Sequence, residues 1–180
     1  MTAILKVDTI QDTAGNNIIN ENANTITIGK SGDTVNLASG ATAGFGKVLQ
    51  VVTATDSTQR STTSTSFVTA SSSLTVNITP SSTSNKILLM VSGGIYVGAS
   101  ATWGKVTIFK GGSNLLTSGG GAAVYNGGND IGSPLSIVYL DNPSSTSQLT
   151  YDVRFLTQAS SIFLNLQGVT SSIVAMEIGV

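Results

Sequence analysis

The sequence predicts an all-β protein, with a short-stranded N-terminal β stalk followed by an antiparallel β-sandwich head of jelly-roll-like type, assembled as a trimer. Three observations lead to this prediction. Val, Ile and Thr, whose β-branched side chains favour strands over helices, fill 55 of 180 positions, and Ser with Thr supplies the polarity that the small charged fraction of 9% does not. Short segments alternate apolar and polar residues, as half-buried strands do. Clusters of Gly, Asn, Ser and Pro separate these segments and indicate turns.

The predicted stalk covers residues 1–46. Its alternating segments are about four to six residues long, at the short end of the usual range for strands, and Gly- and Asn-rich turns separate them. Roughly 40 residues with one apolar face bury too little surface to be stable alone, so we expect three copies to share one core. The Gly-rich end of the stalk, residues 38–46, is predicted to be a linker. The predicted buried contacts between copies are Leu5, Val7, Ile10, Ile18, Ile26 and Ile28.

The predicted head covers residues 47–180. Apolar residues share one strand face in several places, for example Leu74, Val76 and Ile78. Half-buried strands in this number are typical of a sandwich. Residues 118–130 contain five Gly and are predicted to form an exposed, mobile loop. The strands are predicted near residues 47–55, 66–70, 73–79, 86–97, 103–110, 134–141, 148–157, 161–167 and 172–179.

Composition excludes several kinds of chemistry and partner. Without His or Cys the chain cannot use imidazole or thiolate catalysis, and it lacks the commonest ligands of transition metals. We therefore predict no metal and no cofactor. The few Lys and Arg residues are spread along the chain, which argues against a nucleic-acid partner. The longest apolar run, residues 87–91, is too short to span a membrane, so we expect neither membrane insertion nor a secretory signal.

Two sequence features resemble parts of enzyme sites without completing them. Gly29-Lys30-Ser31 matches the end of a phosphate-binding loop, but the glycine required five positions earlier is Asn24. Glycoside cleavage needs two facing carboxylates, and the candidates in the second half of the head are Asp130, Asp141 and Asp152. We predict structural roles instead, because Asp141 falls in a predicted turn and Asp152 shares a strand face with Arg154. The chain is thus predicted not to be an enzyme.

The N-terminal sequence carries a resemblance to a known group of proteins. Residues 4–12, Ile-Leu-Lys-Val-Asp-Thr-Ile-Gln-Asp, followed by residues 15–19 and 25–29, closely resemble the start of tailed-bacteriophage virion proteins of the tail fibre or head fibre type. Residues 48–52 and 84–88 are similar to the same group. The resemblance implies a homotrimeric virion component, assembled in the host cytoplasm, that docks on other capsid or tail proteins through its N-terminal segment. Because 180 residues leave no room for a long shaft, a short fibre or a decoration protein fits best.

The alternative is a carbohydrate-binding module that recognises a host surface glycan. Trp103, Tyr125, Asn126 and Asp130 lie within or beside the Gly-rich stretch. Aromatic faces stack on sugar rings, while amides and carboxylates bind sugar hydroxyls, so these residues are the predicted glycan contacts. A competing interpretation places the lone Trp in the core of the sandwich and leaves the loop without a binding role.

Overall fold

The computed structural model describes residues 9–11, 13, 17–22, 25–28, 47–98, 102–116 and 121–179. The chain divides into two compact units, Met1–Phe45 and Gly46–Val180. In these ranges all regular elements are strands, apart from a single 3-10 turn at Leu166–Gly168, and the all-β prediction is confirmed. The described ranges contain no helix able to cross a membrane. Of the predicted stalk contacts, Leu5 and Val7 lie outside the described residues.

The N-terminal unit contains a small antiparallel meander of β1 (Thr9–Gln11), β2 (Asn17–Asn22) and β3 (Thr25–Ile28). The register opposes Ile10 to Ile19 and Ile19 to Ile28, so these three positions form one row across the meander. Ile18 falls where the register shifts between the pairs Ile10–Ile19 and Gln11–Asn17. The register partner of Ile10 and Ile28 is therefore Ile19. Ile18 is the neighbouring residue of β2, and a shift of one residue in a strand changes the face of the sheet.

The head contains twelve strands within the described ranges. The prediction of a loop over residues 118–130 is wrong in part, because residues 122–126 pair with a neighbouring strand. The strand predicted over residues 134–141 begins earlier, at Ile131. In the described residues it pairs with one strand only. Such an edge strand can contain Pro134, because the missing N–H of proline is not needed for pairing on the open side. The strands are β4 (Lys47–Asp56), β5 (Arg60–Thr62), β6 (Val68–Thr69), β7 (Thr75–Ile78), β8 (Lys86–Val97), β9 (Thr102–Lys110), β10 (Ser113–Asn114), β11 (Ala122–Asn126), β12 (Ile131–Asp141), β13 (Leu149–Thr157), β14 (Ile162–Leu164) and β15 (Ser171–Gly179).

The twelve strands form two antiparallel sheets. The first sheet runs β4–β15–β8–β12, and β14 and β5 extend it along the end of β8. The second sheet runs β7–β13–β9–β11, with β6 and β10 as short extensions. Numbered along the chain as eight strand positions, the sheets have the orders 1-8-3-6 and 2-7-4-5. These are the orders of a jelly roll, which is built from two Greek keys.

The core lies between the two sheets and is formed by every second residue of the facing strands. Ile87, Leu89 and Val91 of β8 and Tyr151 and Phe155 of β13 are almost completely buried. Burying each such side chain stabilises the fold by about 1.5–3 kcal/mol. The alternation seen in the sequence therefore corresponds to the inner faces of the sandwich.

The prediction that Asp141 lies in a turn is wrong. Asp141 is the last residue of β12 and is buried at the edge of the sandwich. Its carboxylate accepts hydrogen bonds from the Tyr151 hydroxyl (2.6 Å) and from Lys110 Nζ (2.9 and 3.0 Å). Burial, together with the bond to Asp141, raises the pKa of Tyr151. The three side chains tie β12 of the first sheet to β9 and β13 of the second.

Glu177 is a buried carboxylate that accepts hydrogen bonds from neutral donors. Gln50 Nε2 donates to Oε2 (2.6 Å), while the Ser81 N–H (2.6 Å), the Ser81 hydroxyl (2.8 Å) and Asn85 Nδ2 (2.6 Å) donate to Oε1. Burial alone would raise the pKa of Glu177, but these hydrogen bonds outweigh it and hold the pKa below its ordinary value. These hydrogen bonds to Glu177 connect the loop between β7 and β8 to strands β4 and β15.

Replacing Glu177 with Gln should lower the free energy of unfolding by about 1.5–3 kcal/mol, because hydrogen bonds to a charged acceptor are lost. Since the folded-state pKa is lowered, the stabilisation is present above the unfolded-state pKa and disappears as the pH falls through the folded-state pKa. Urea unfolding at several pH values measures both effects. The exposed Asp130→Asn variant is the control and should stay within about 0.5 kcal/mol of the wild type. Equal stability of Glu177→Gln and wild type at neutral pH would contradict the assignment.

Candidate functional site: an aromatic cavity and an apolar sheet face

Trp103 and Tyr125 form an aromatic pair on the outer face of the second sheet. They are register partners on β9 and β11, with ring centroids 4.8 Å apart and planes inclined by 50°. Trp103 is 43% exposed and Tyr125 is 49% exposed. The only Trp in the sequence therefore lies on the surface, and the interpretation that placed it in the core is wrong. The structure brings together two of the four residues that the sequence suggested as glycan contacts.

Asn126 and Asp130 have other surroundings. Asn126 is completely buried, and its Nδ2 donates to the carbonyl oxygens of Val97 (3.0 Å) and Gly98 (2.9 Å). Its Oδ1 accepts the N–H of Gly128, so the amide holds the end of β11 in place and is not available to a sugar. Asp130 is exposed and accepts a hydrogen bond from the Tyr96 hydroxyl, which raises the pKa of Tyr96.

A cavity of about 510 Å³ adjoins the exposed indole of Trp103. It combines one aromatic ring, one aliphatic side chain, a Lys side chain, an amide and the exposed hydroxyl of Thr65. The hydroxyl of Thr157 is buried and donates to two backbone carbonyl oxygens. Neither Asn126 nor Asp130 lines the cavity, and no acidic residue does. Its lining residues are Thr65, Trp103, Lys105, Leu156, Thr157 and Gln158.

The cavity wall is fixed by hydrogen bonds of the backbone. The carbonyl oxygen of Trp103 accepts the N–H of Gln158 (2.9 Å) and the Thr157 hydroxyl (3.1 Å). The N–H of Thr157 donates in turn to the carbonyl oxygen of Ser64 (2.9 Å), next to Thr65. A surface whose backbone is already ordered loses little conformational entropy when it binds a ligand.

Sequence reasoning missed Lys105 and Gln158. The alternation along β9 could have placed Lys105 beside Trp103, since residues two apart on a strand share a face. No local signal could have found Gln158 or Thr65, because they reach the cavity through the pairing of β9 with β13 and through the adjoining loop.

The three Asp residues considered for glycoside cleavage have separate partners. Asp141 contacts Lys110 and Tyr151, Asp130 contacts Tyr96, and Asp152 pairs with Arg154 at 2.7 Å. The structural role predicted for Asp152 is confirmed. Across the described ranges, no cluster of three or more acidic residues could hold a metal ion.

The outer face of the first sheet is apolar, although it has no cover from the head itself. Leu88 on β8 lies opposite Met176 on β15 and Leu140 on β12, and Met176 lies opposite Val51 on β4. This row crosses all four strands. We call the whole surface the apolar face; its members are Val48, Leu49, Val51, Leu88, Met90, Val138, Leu140, Val174, Met176 and Ile178.

The outer face of the second sheet has a different character. Asp152 pairs with Arg154, whose guanidinium lies 4.1 Å from the centre of the Phe109 ring, and the Thr150 hydroxyl donates to Asn77. Its polar groups are satisfied within the sheet and exposed to solvent. The two outer faces of the head therefore differ in polarity.

Comparisons with known proteins give little direct information. The sequence matches no protein-family profile, and no curated protein matches it. Weakly similar solved structures are virus proteins: the infectious bursal disease virus T13 particle (14% identity, TM-score 0.36), a mutant VP2 protein of that virus in T=1 particles (15%, 0.33) and the virus's Gx strain (15%, 0.38). Each match covers 81% of this chain but only 41%, 42% and 44% of the matched chains, respectively. With TM-scores this low, these likenesses support no argument about fold or function.

Trp103 provides a direct optical test of the site, since it is the only Trp. Its fluorescence should have the long-wavelength emission of a hydrated indole and should be quenched by acrylamide. Tyr125→Ala should increase the quenching, because it removes the ring that partly covers the indole. Ala123→Ser, an exposed change on the same strand, is the control and should leave the emission unchanged. A short-wavelength emission that acrylamide does not reach would contradict the exposed position of Trp103.

Proposed function

We propose that this chain is a non-enzymatic structural protein of a bacteriophage virion, a short trimeric fibre or decoration protein attached to capsid or tail through its N-terminal segment. The observation that carries the proposal is the apolar face of the first sheet. A soluble monomer has no reason to keep aliphatic side chains in a row across four strands on its outer surface. A subunit of a permanent assembly does, because the row becomes an interface between copies.

The size of the apolar face supports an interface. Its five most exposed members present between 44% and 65% of their surfaces, which amounts to roughly 450 Å² of apolar area, within the range of functional patches on monomers. A standard interface buries about 800 Å² per partner, somewhat over half of it apolar. The apolar face therefore supplies about the apolar area that one subunit contributes to a stable contact.

The charge of the apolar face supports a second copy of the chain as its occupant. Its ten members are uncharged, and Lys86, which lies on the same outer face opposite Ile178, is at the end of the sheet. Copies that turn the row of Leu88, Met176 and Leu140 toward a common axis therefore meet no like-charge repulsion within that row.

The N-terminal meander supports the same arrangement. Ile10, at one end of its isoleucine row, is 39% exposed, and a meander of three short strands cannot stabilise itself in water. Association of copies around a closed axis would bury such rows and satisfy strand edges that otherwise promote aggregation. In this proposal the predicted contacts serve trimerisation or docking: Leu5, Val7, Ile10, Ile18, Ile26 and Ile28. The assembled protein is then carried on the virion.

A second candidate function is recognition of a host surface glycan, and the exposed Trp103 beside its cavity favours it. Aromatic rings next to amide, hydroxyl and ammonium groups are the usual components of saccharide sites. The two functions are compatible, because the cavity lies on the second sheet and the apolar face on the first. Contact between copies and contact with the host would then use opposite surfaces of the head.

Substituting Val138 and Leu140 together with Asp should convert the full-length protein from a trimer to a monomer, since six charges would have to be buried in one assembly and the small N-terminal meander buries too little surface to hold three chains together alone. Light scattering gives the mass, which should be three times 18.3 kDa for the wild type and one chain for the variant. Both residues are at least half exposed, so the head should still fold, as circular dichroism checks. Gln148→Asp, an exposed change before β13, is the control and should remain trimeric. A trimer that survives the double substitution would exclude the apolar face as the interface.

A further inference from the structure

Lys105 gives the cavity beside Trp103 a charge preference. We propose that this cavity binds a carboxylated saccharide, such as an oligomer of uronic acids, with a sugar ring against Trp103 and the carboxylate on Lys105. The proposal rests on glycan recognition as the second candidate function and adds the chemical class of the glycan.

The first argument concerns the pairing of charges. Three cations of the head each contact an Asp: Arg60 with Asp56 at 2.8 Å, Lys110 with Asp141 at 2.9 Å, and Arg154 with Asp152 at 2.7 Å. Within the described residues Lys105 forms no ion pair, although it is half-buried at the cavity wall. A half-buried ammonium group without a carboxylate nearby can gain a charge-assisted hydrogen bond from an acidic ligand.

The second argument concerns the arrangement of groups around the cavity. Trp103 and Lys105 are two residues apart on β9 and so lie on the same face of the strand. Lys105 lies opposite Leu156 on β13, which adds an aliphatic wall. Gln158 and Thr65 supply an amide and a hydroxyl on the lining. A ring, a carboxylate and several hydroxyl groups are the features of a uronic acid, and the cavity offers a partner for each.

Other anions fit less well. Phosphate-rich polymers are bound by several Lys or Arg residues together, whereas Lys105 is the only cation that lines this cavity. The net charge of the chain is −1, which gives no long-range attraction for a polyanion. An acidic peptide could place a carboxylate on Lys105, but its short side chains offer no ring to stack on Trp103.

The test uses full-length protein and three ligands in isothermal titration calorimetry: an oligogalacturonide, its methyl ester, and an oligoglutamate of similar length. We expect the oligogalacturonide to bind at least about tenfold more tightly than its uncharged methyl ester, and its binding to weaken as salt is added. The oligoglutamate should not bind measurably.

The variants separate the parts of the proposal. Lys105→Gln should abolish the preference for the acid over the ester, and Lys105→Arg should retain it, since the charge is kept. Trp103→Ala should weaken both saccharides at least about tenfold. Lys86→Gln removes a cation of the first sheet that forms no ion pair in the described residues, and as a matched control it should leave the binding of all three ligands unchanged.

The outcomes distinguish this inference from the function on which it rests. Equal binding of acid and ester, lost in Trp103→Ala, would overturn the charge preference and leave glycan recognition standing. Binding of the oligoglutamate as tight as that of the oligogalacturonide would overturn the saccharide assignment in favour of an acidic peptide. If neither saccharide binds, both the inference and the glycan function fail.

Discussion

The first sheet has apolar side chains on both of its faces, and the organisation of the head depends on this constraint. On β8 the inward residues Ile87, Leu89 and Val91 form the core, while Leu88 and Met90 between them point outward. A two-layer sandwich can cover only one face of each sheet. The second face of the first sheet therefore requires another cover, and a second copy of the chain is the cover that our proposal supplies.

Burial of charge follows an equally consistent pattern in a chain with only 17 charged residues. Asp56, Asp141 and Asp152 each face a cation, whereas Glu177 is held by neutral donors. Hydrogen bonds from Arg60, Ser71 and Thr58 outweigh burial and hold the pKa of Asp56 well below its ordinary value. Asp141 and Glu177 join segments that are far apart in the chain, whereas Asp56 and Asp152 pair with cations only four and two residues away. Lys105 forms no ion pair within the described residues and is the one cation that lines the cavity beside Trp103, which is why our proposal places an acidic ligand there.

Much of the fold could be predicted from the sequence because alternation is a local signal. The faces of β7, β8 and β13 follow directly from residues such as Leu74, Val76 and Ile78. The strand at residues 122–126 could not be predicted, because its glycine-rich flanks hide a short alternation that only pairing with β9 stabilises. The same limit applies to the site. Trp103 and Tyr125 could be named from residue type, but Gln158 reaches the cavity through sheet pairing, and the burial of Asn126 depends on carbonyl groups 28 and 29 residues away.

Quantitative mass spectrometry of purified virions would test the central claim most directly, that this chain is a trimeric component of the particle. Particles of the phage that our proposal makes the source of the chain are collected and washed in high salt to remove adsorbed protein. The account predicts that the chain stays with the particles at a copy number that is a multiple of three. If the chain is abundant in the soluble lysate and absent from washed particles, the account is contradicted.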